Sequence, residues 1–146
     1  MFFLQTFKEA LTKYKLNEIF LSFNGGKDCT VLLHLLVNYI KSIQDVKERI
    51  ELKVIYVQPK SPFDEIEMFV ESCQEYYGID IQVVNGGSIK DVLTKVCKND
   101  KDIKACVMGS RRSDPYCGDL SVFKVGQKCI SCLANNYFNI YIILEM

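Results

Sequence analysis

Short apolar runs alternate along this chain with segments of helical periodicity, and that alternation predicts an α/β fold: an open parallel sheet with helices on both faces. Three observations predict it. The runs at 18–23, 52–57, 80–84 and 105–108 are short and rich in branched and aromatic residues, as buried strands are. The stretches between them repeat apolar residues every three to four positions, the period of a helix with one buried face. At 146 residues and 49% hydrophobic, the chain has the size and composition of one core, and such a length buries about 70% of the surface of the unfolded chain.

Taken in order, Phe2 to Tyr14 is an amphipathic helix, Glu18 to Phe23 a strand, and Asp28 to Ile40 a helix with a stripe of Val31, Leu32, Leu35, Leu36 and Val37. A strand follows from Leu52 to Val57. Pro62 opens a helix that runs to Tyr77 and stops at Gly78, because proline suits the start of a helix and glycine its end. Asp80 to Val84 is a strand, and Asn85-Gly86-Gly87 turns the chain into a helix capped by Ser88 that reaches Cys97. Ala105 to Met108 is the next strand. Parallel strands of this kind are joined by right-handed crossovers, and ligands gather at their carboxyl ends. Three loops stand at such ends: Ser22 to Asp28, Gln58 to Phe63 and Gly109 to Tyr116.

Composition narrows the classes of function. The 18 basic and 18 acidic residues cancel, which argues against a broad sequence-independent grip on nucleic acid. No apolar run is long enough to span a bilayer. The start, MFFLQTFKEALTKYK, contains Glu9, lacks arginine and shows no small-residue cleavage site, so no secretory or organellar address is expected. Seven cysteines, an odd number spread over the chain, read as reduced thiols of a cytoplasmic protein. Cys129 and Cys132 form a solitary C-x-x-C with no second pair or histidine nearby, which is weak evidence for zinc or redox chemistry. No protein partner is inferable.

The first chemical motif is S-F-N-G-G-K-D-C-T, Ser22 to Thr30, between a strand and a helix. Gly25 and Gly26 are adjacent and Lys27 precedes an acid, unlike the common triphosphate loop. Two glycines let an anion approach backbone amides where a helix begins. Lys27 adds charge, and Ser22 and Asn24 can donate hydrogen bonds to phosphate oxygens. Asp28 would repel a phosphate directly, so it holds a bridging divalent metal or caps the helix. The second motif is M-G-S-R-R-S-D-P-Y, Met108 to Tyr116. Arg111 and Arg112 are planar donors suited to phosphate or ring recognition, and Asp114 precedes a turn-fixing proline; the bland alternative is a solvated turn with an Arg–Asp pair. His34, the single histidine, lies in L-L-H-L-L and reads as structural.

Together N-G-G-K-D-C-T-V-L-L-H-L and M-G-S-R-R-S-D-P-Y resemble the eukaryotic FAD synthases, FMN adenylyltransferases of the phosphoadenosine phosphosulfate reductase-like, ATP pyrophosphatase-type group. The first motif marks the wider group, and R-R-S-D-P with S-P-F-D-E-I-E, Ser61 to Glu67, narrows it to the flavin enzymes. The resemblance covers about Leu16 to Leu120. It implies an adenine-nucleotide hydrolase-like, Rossmann-type arrangement and the transfer of the adenylyl group of ATP to FMN, giving FAD and pyrophosphate with Mg2+. It implies catalytic roles for Asn24, Lys27 and Asp28, with Asp28 the metal ligand, and ATP binding by Ser22, Gly25, Gly26, Tyr56 and Val57. Gly109, Arg111, Arg112 and Asp114 correspond to the flavin side.

Residues 1–120 are therefore expected to form the nucleotide-binding domain, and 121–146 an atypical tail. The family continues past its arginine motif with an aspartate-tryptophan element and further arginines, whereas this chain has no tryptophan. LANNYFNIYIILEM, from Leu133, reads either as a final edge strand or as a tail in place of a longer carboxyl-terminal region, of the composition adenine-thymine-rich noncoding sequence would encode. No second domain of the kind some animal relatives carry at the amino terminus is expected. Two alternatives stay open: a noncatalytic nucleotide- or flavin-binding module, and a sulfur-transfer enzyme of the same group using Cys129 and Cys132.

Overall fold

The computed structural model describes residues 2–44, 49–85, 89–110, 123–125 and 138–143. Helix α1 (Phe2–Lys13) leads through a single 3-10 turn at Leu16–Glu18 into β1 (Ile19–Phe23). Then follow α2 (Lys27–Ile43), β2 (Lys53–Gln58), α3 (Asp64–Tyr77), β3 (Ile81–Asn85), α4 (Ile89–Asn99), β4 (Ala105–Ser110), β5 (Phe123–Val125) and β6 (Phe138–Ile143). The expected elements form, with boundaries moved by a few residues.

The sheet has the order β3-β2-β1-β4-β6-β5. All pairings are parallel except β5 with β6. The chain steps outward from β1 to β2 and β3, then crosses to the other side of β1 for β4. Neighbouring strands at that reversal send their connections to opposite faces, which opens a crevice above their carboxyl ends.

Period-two alternation sorts the strand residues between two layers. Ile19, Leu21 and Phe23 of β1 join Val54, Tyr56, Ala105 and Val107 against α1, α2 and α3, which contribute Phe7, Leu32, Leu33, Leu36, Val37, Ile40 and Val70. Phe20, Ile55 and Cys106 point the other way, onto Val92 and Val96 of α4 and Ile103. Helices therefore cover both faces, as expected. Each fully buried Phe or Leu of this kind contributes about 1.5–3 kcal/mol. β3 departs from the continuous apolar pattern of a central strand, since Gln82 and Val83 are exposed; among the described residues no strand pairs with its outer edge.

The last segment corrects one expectation. Phe138–Ile143 is a strand, but not the edge: it pairs with β4 from Ala105↔Phe138 to Ser110↔Ile143, and the three-residue β5 lies outside it. A second parallel neighbour satisfies the main-chain groups that would leave β4 as an open edge. Glu18 also departs from its expected place in β1. Its carboxylate closes the 3-10 turn by accepting the Lys15 amide at 3.0 Å and pairs with Lys104.

Candidate functional site

The carboxyl end of β1 carries the loop to α2. Gly25 has φ of +74°, in the left-handed region that favours glycine. A side chain there would also meet α3, because a Cβ would stand 2.9 Å from Ile66 Cγ2. Gly26 differs from the expectation that both glycines adopt special backbone. Its φ of −76° is ordinary, and it serves as the N-cap of α2. What restricts Gly26 is contact, since a Cβ would lie 3.0 Å from Asn24 Oδ1.

Asn24 and Cys29 lock this turn from within. Asn24 Oδ1 accepts the Gly26 amide at 2.9 Å, and the Asn24 amide approaches Cys29 Sγ at 3.4 Å. Cys29 Sγ lies 2.8 Å from Asn24 Oδ1 and 3.1 Å from the Gly26 carbonyl, so its one proton serves either acceptor. The hydroxyl and amide of Thr30 both donate to that same carbonyl, at 2.8 and 3.1 Å. Burial pushes the Cys29 thiol up, against opposing backbone hydrogen bonds at Asn24 and Gly26, which keeps it a neutral donor. Asn24 thus shapes the loop with its oxygen. Ser22 is half-buried on β1, and Lys27 is exposed where α2 begins. Among the described residues Lys27 takes part in no ion pair. Asp28 occupies the first turn of α2, not the cap position, where its charge complements the helix dipole.

Across the crevice, β4 passes beside this helix start. A Cβ on Gly109 would lie 3.7 Å from the Asp28 carbonyl oxygen and 3.5 Å from Leu32 Cδ2, ordinary contact distances. The strand that delivers the arginine motif therefore touches the helix that delivers the phosphate loop. Arg111, Arg112 and Asp114 lie outside the described residues, as do the turn at 86–88 and Cys117, Cys129 and Cys132.

Near the end of β2, Tyr56 is fully buried, so its ring is closed off from the crevice and only its main chain borders it. Its hydroxyl donates to Glu67 Oε1 at 2.7 Å. Burial first, and then Glu67, push that phenol up to about 12. Val57 is half-buried toward α4. Glu67 also receives Gln58 Nε2 on its other oxygen at 2.6 Å. In the sequence Glu67 stands only inside S-P-F-D-E-I-E and Gln58 only as the first residue of the Gln58-to-Phe63 loop, and no individual role for either, or for Cys29, is legible there. The one signal available was the helical spacing that puts Ile66, Glu67 and Val70 on the inner side of α3.

His34 stands apart from the loop. Its Nδ1 is 3.1 Å from the Tyr77 hydroxyl and its Nε2 2.9 Å from Asn38 Nδ2, so it ties α2 to α3. Among the described residues, Cys29, Cys73, Cys97 and Cys106 are in the thiol form, not in disulfides. Among the described residues no helix is long and apolar enough to cross a membrane, and no three carboxylates, thiols or imidazoles group as a metal cage.

Comparison with known proteins places this geometry. Residues 18–118 match the model of the phosphoadenosine phosphosulfate reductase domain. The chain is 34% identical over 124 residues to a protein of Schizosaccharomyces pombe named "Probable FAD synthase", covering 82% of this chain and 46% of that protein. It is 35% identical over 108 residues to a Caenorhabditis elegans protein of the same name, covering 74% of this chain and 20% of that one. The chain thus spans less than half the length of these relatives. Its fold superposes on Candida glabrata FMN adenylyltransferase in complex with FAD and inorganic pyrophosphate with a TM-score of 0.83 at 22% identity, over 98% of this chain and 52% of that one. The complex of that enzyme with ATP gives a TM-score of 0.80 at 21% identity, over 98% of this chain and 50% of that one.

Proposed function

The chain belongs to the phosphoadenosine phosphosulfate reductase domain family, and from that premise we propose that it carries the adenylyl-transfer site of an FAD synthase. ATP and FMN are the substrates, and FAD and pyrophosphate the products. The observation that carries this is the approach of Gly109 to the start of α2, which sets the strand that leads into the arginine motif beside the phosphate loop. The names of the relatives support the same reaction.

In this site Gly25, Gly26 and the first turn of α2 receive the ATP phosphates, with Ser22 and Asn24 donating to their oxygens. The exposed Lys27 places its ammonium beside the departing pyrophosphate. The main chain of Tyr56 and Val57 borders the adenine. Gly109, Arg111, Arg112 and Asp114 make the flavin side. Asp28 is the carboxylate that would hold a Mg2+ ion, a hard cation that takes oxygen ligands, and the chemistry such an ion would supply is neutralisation of phosphate charge.

The chain's own residues need no general base. An oxygen of the FMN phosphate, already anionic, forms a bond to the α-phosphorus of ATP as the bond to pyrophosphate breaks, so alignment and charge neutralisation suffice. Residues 1–120 supply the nucleotide site in this scheme, 121–146 remain the atypical part, and the reduced thiols suit a cytoplasmic setting.

The test is Mg2+-dependent FAD formation by the purified chain, read by chromatography of FAD with a pyrophosphate assay, alongside calorimetry with ATP and FMN. FAD and pyrophosphate in equal amounts support the enzyme. Binding of ATP or FMN without product replaces it with the noncatalytic module, and binding of neither overturns both.

A further inference from the structure

Gln58 ends β2, two residues beyond Tyr56, whose register partner Phe23 is the last residue of β1. Gln58 therefore stands level with the phosphate loop, at the carboxyl edge where a nucleotide lies. The same turn of α3 reaches both: Ile66 packs beside Gly25, and its neighbour Glu67 accepts Gln58 Nε2 at 2.6 Å and the Tyr56 hydroxyl at 2.7 Å. Both oxygens of the carboxylate are engaged. An ionised carboxylate only accepts hydrogen bonds, so it dictates which end of the Gln58 amide turns toward it. The NH2 group faces Glu67, so the amide oxygen is the end turned away from the carboxylate.

We propose that Glu67 is a positioning residue for base selection, holding Gln58 so that its carbonyl oxygen accepts from the exocyclic amine of a 6-aminopurine and repels a 6-oxopurine. This deepens the adenylyl-transfer assignment and rests on it. The physical basis is that a fixed acceptor facing a ligand donor discriminates strongly, because the wrong ligand leaves two acceptors opposed and desolvated.

Glu67→Gln is the informative change. The new side chain still accepts from Tyr56 with its oxygen but offers NH2 to Gln58, which turns over to accept it and presents its own NH2 to the crevice. Calorimetry with Mg2+ and either ATP or ITP, on the whole chain, reads the outcome. The parent is expected to bind ATP about tenfold or more tightly than ITP, and Glu67→Gln to lower that ratio at least about tenfold. A merely structural carboxylate would weaken both nucleotides alike and leave the ratio unchanged. Gln58→Leu, which leaves Glu67 with Tyr56, is expected to bring the ratio near unity and decides the matter if Glu67→Gln does not fold. An unchanged ratio in Gln58→Leu, or in a folded Glu67→Gln, overturns the inference while leaving adenylyl transfer intact. A parent chain that binds neither nucleotide overturns both.

Discussion

The two ends of the sheet are held by different means. The amino end is fastened by ion pairs between distant segments: Lys104 with Glu18, Lys53 with Asp100 at 2.5 Å and Arg49 with Asp80 at 2.5 Å. Lys53 also donates to the Asn17 carbonyl at 2.7 Å, and the Lys104 amide to that of Glu18 at 2.8 Å. At the carboxyl end, neutral groups hold the loop to itself through Asn24, Cys29 and Thr30, and one carboxylate from α3 pins the end of β2. The difference has a physical reason. Under the proposed function, a loop that receives phosphate gains from keeping its cation uncommitted, whereas the end that takes no part in that proposal neutralises its charges internally.

Breaking the charges of the carboxyl end should have the largest effect, on turnover and not on stability. Lys27→Ala and Asp28→Ala are each expected to lower the rate of FAD formation at least ~100-fold, as removal of an electrostatic stabiliser does, with melting temperature little changed. Near-normal FAD formation by both variants would remove these residues from the site. Gly25→Ala comes next and should affect both properties. Its Cβ would sit 2.9 Å from Ile66 on a backbone at φ +74°, a strain of about 1–3 kcal/mol, read as a lower urea midpoint together with weaker ATP binding. Gly26→Ala, without the left-handed backbone, should cost less in the same assay.

Cys29→Ala should cost about 1 kcal/mol of stability, the usual net worth of a lost hydrogen bond, and slacken the loop enough to weaken ATP binding. Cys29→Ser, which restores a donor and acceptor, should recover much of that affinity. The smallest effect belongs to the amino end and appears only in acid. Asp100 is held below the ordinary carboxylate range, chiefly by the hydrogen bond from Lys53. A carboxyl depressed by folding stabilises the native state above its unfolded value, about 3.9, and that contribution disappears as pH falls through the lower folded value. Asp100→Asn should therefore flatten the acid limb of a urea-midpoint profile below about pH 4, cost about 0.5 kcal/mol at neutral pH as half-exposed pairs do, and leave ATP affinity unchanged.

Much of the layout was legible before any coordinates. Period separated strands from helices, Gly78 stopped α3 with φ of +65° as anticipated, and the glycine motif was recognisable as a loop at a strand end, whereas Gly109, expected in a loop, belongs to β4. Glycine identity misled at one position, because Gly26 is confined by Asn24 and not by its backbone angles. The last strand could not be ranked within the sheet. Tyr-, Phe- and Ile-rich composition favours extended chain without saying which neighbour it takes, and here β6 pairs with β4 inside β5.

The sequence alone determined the loop on which the phosphate proposal rests: adjacent glycines, a lysine and an aspartate between an apolar strand and an amphipathic helix are local chemistry, written in consecutive residues. Only the tertiary structure decided what stands around that loop. Gly109 reaches the start of α2 through strand order, and Glu67 reaches Gln58 and Tyr56 because α3 packs back across β2. Those contacts join residues through packing between elements, which spacing along the chain does not encode.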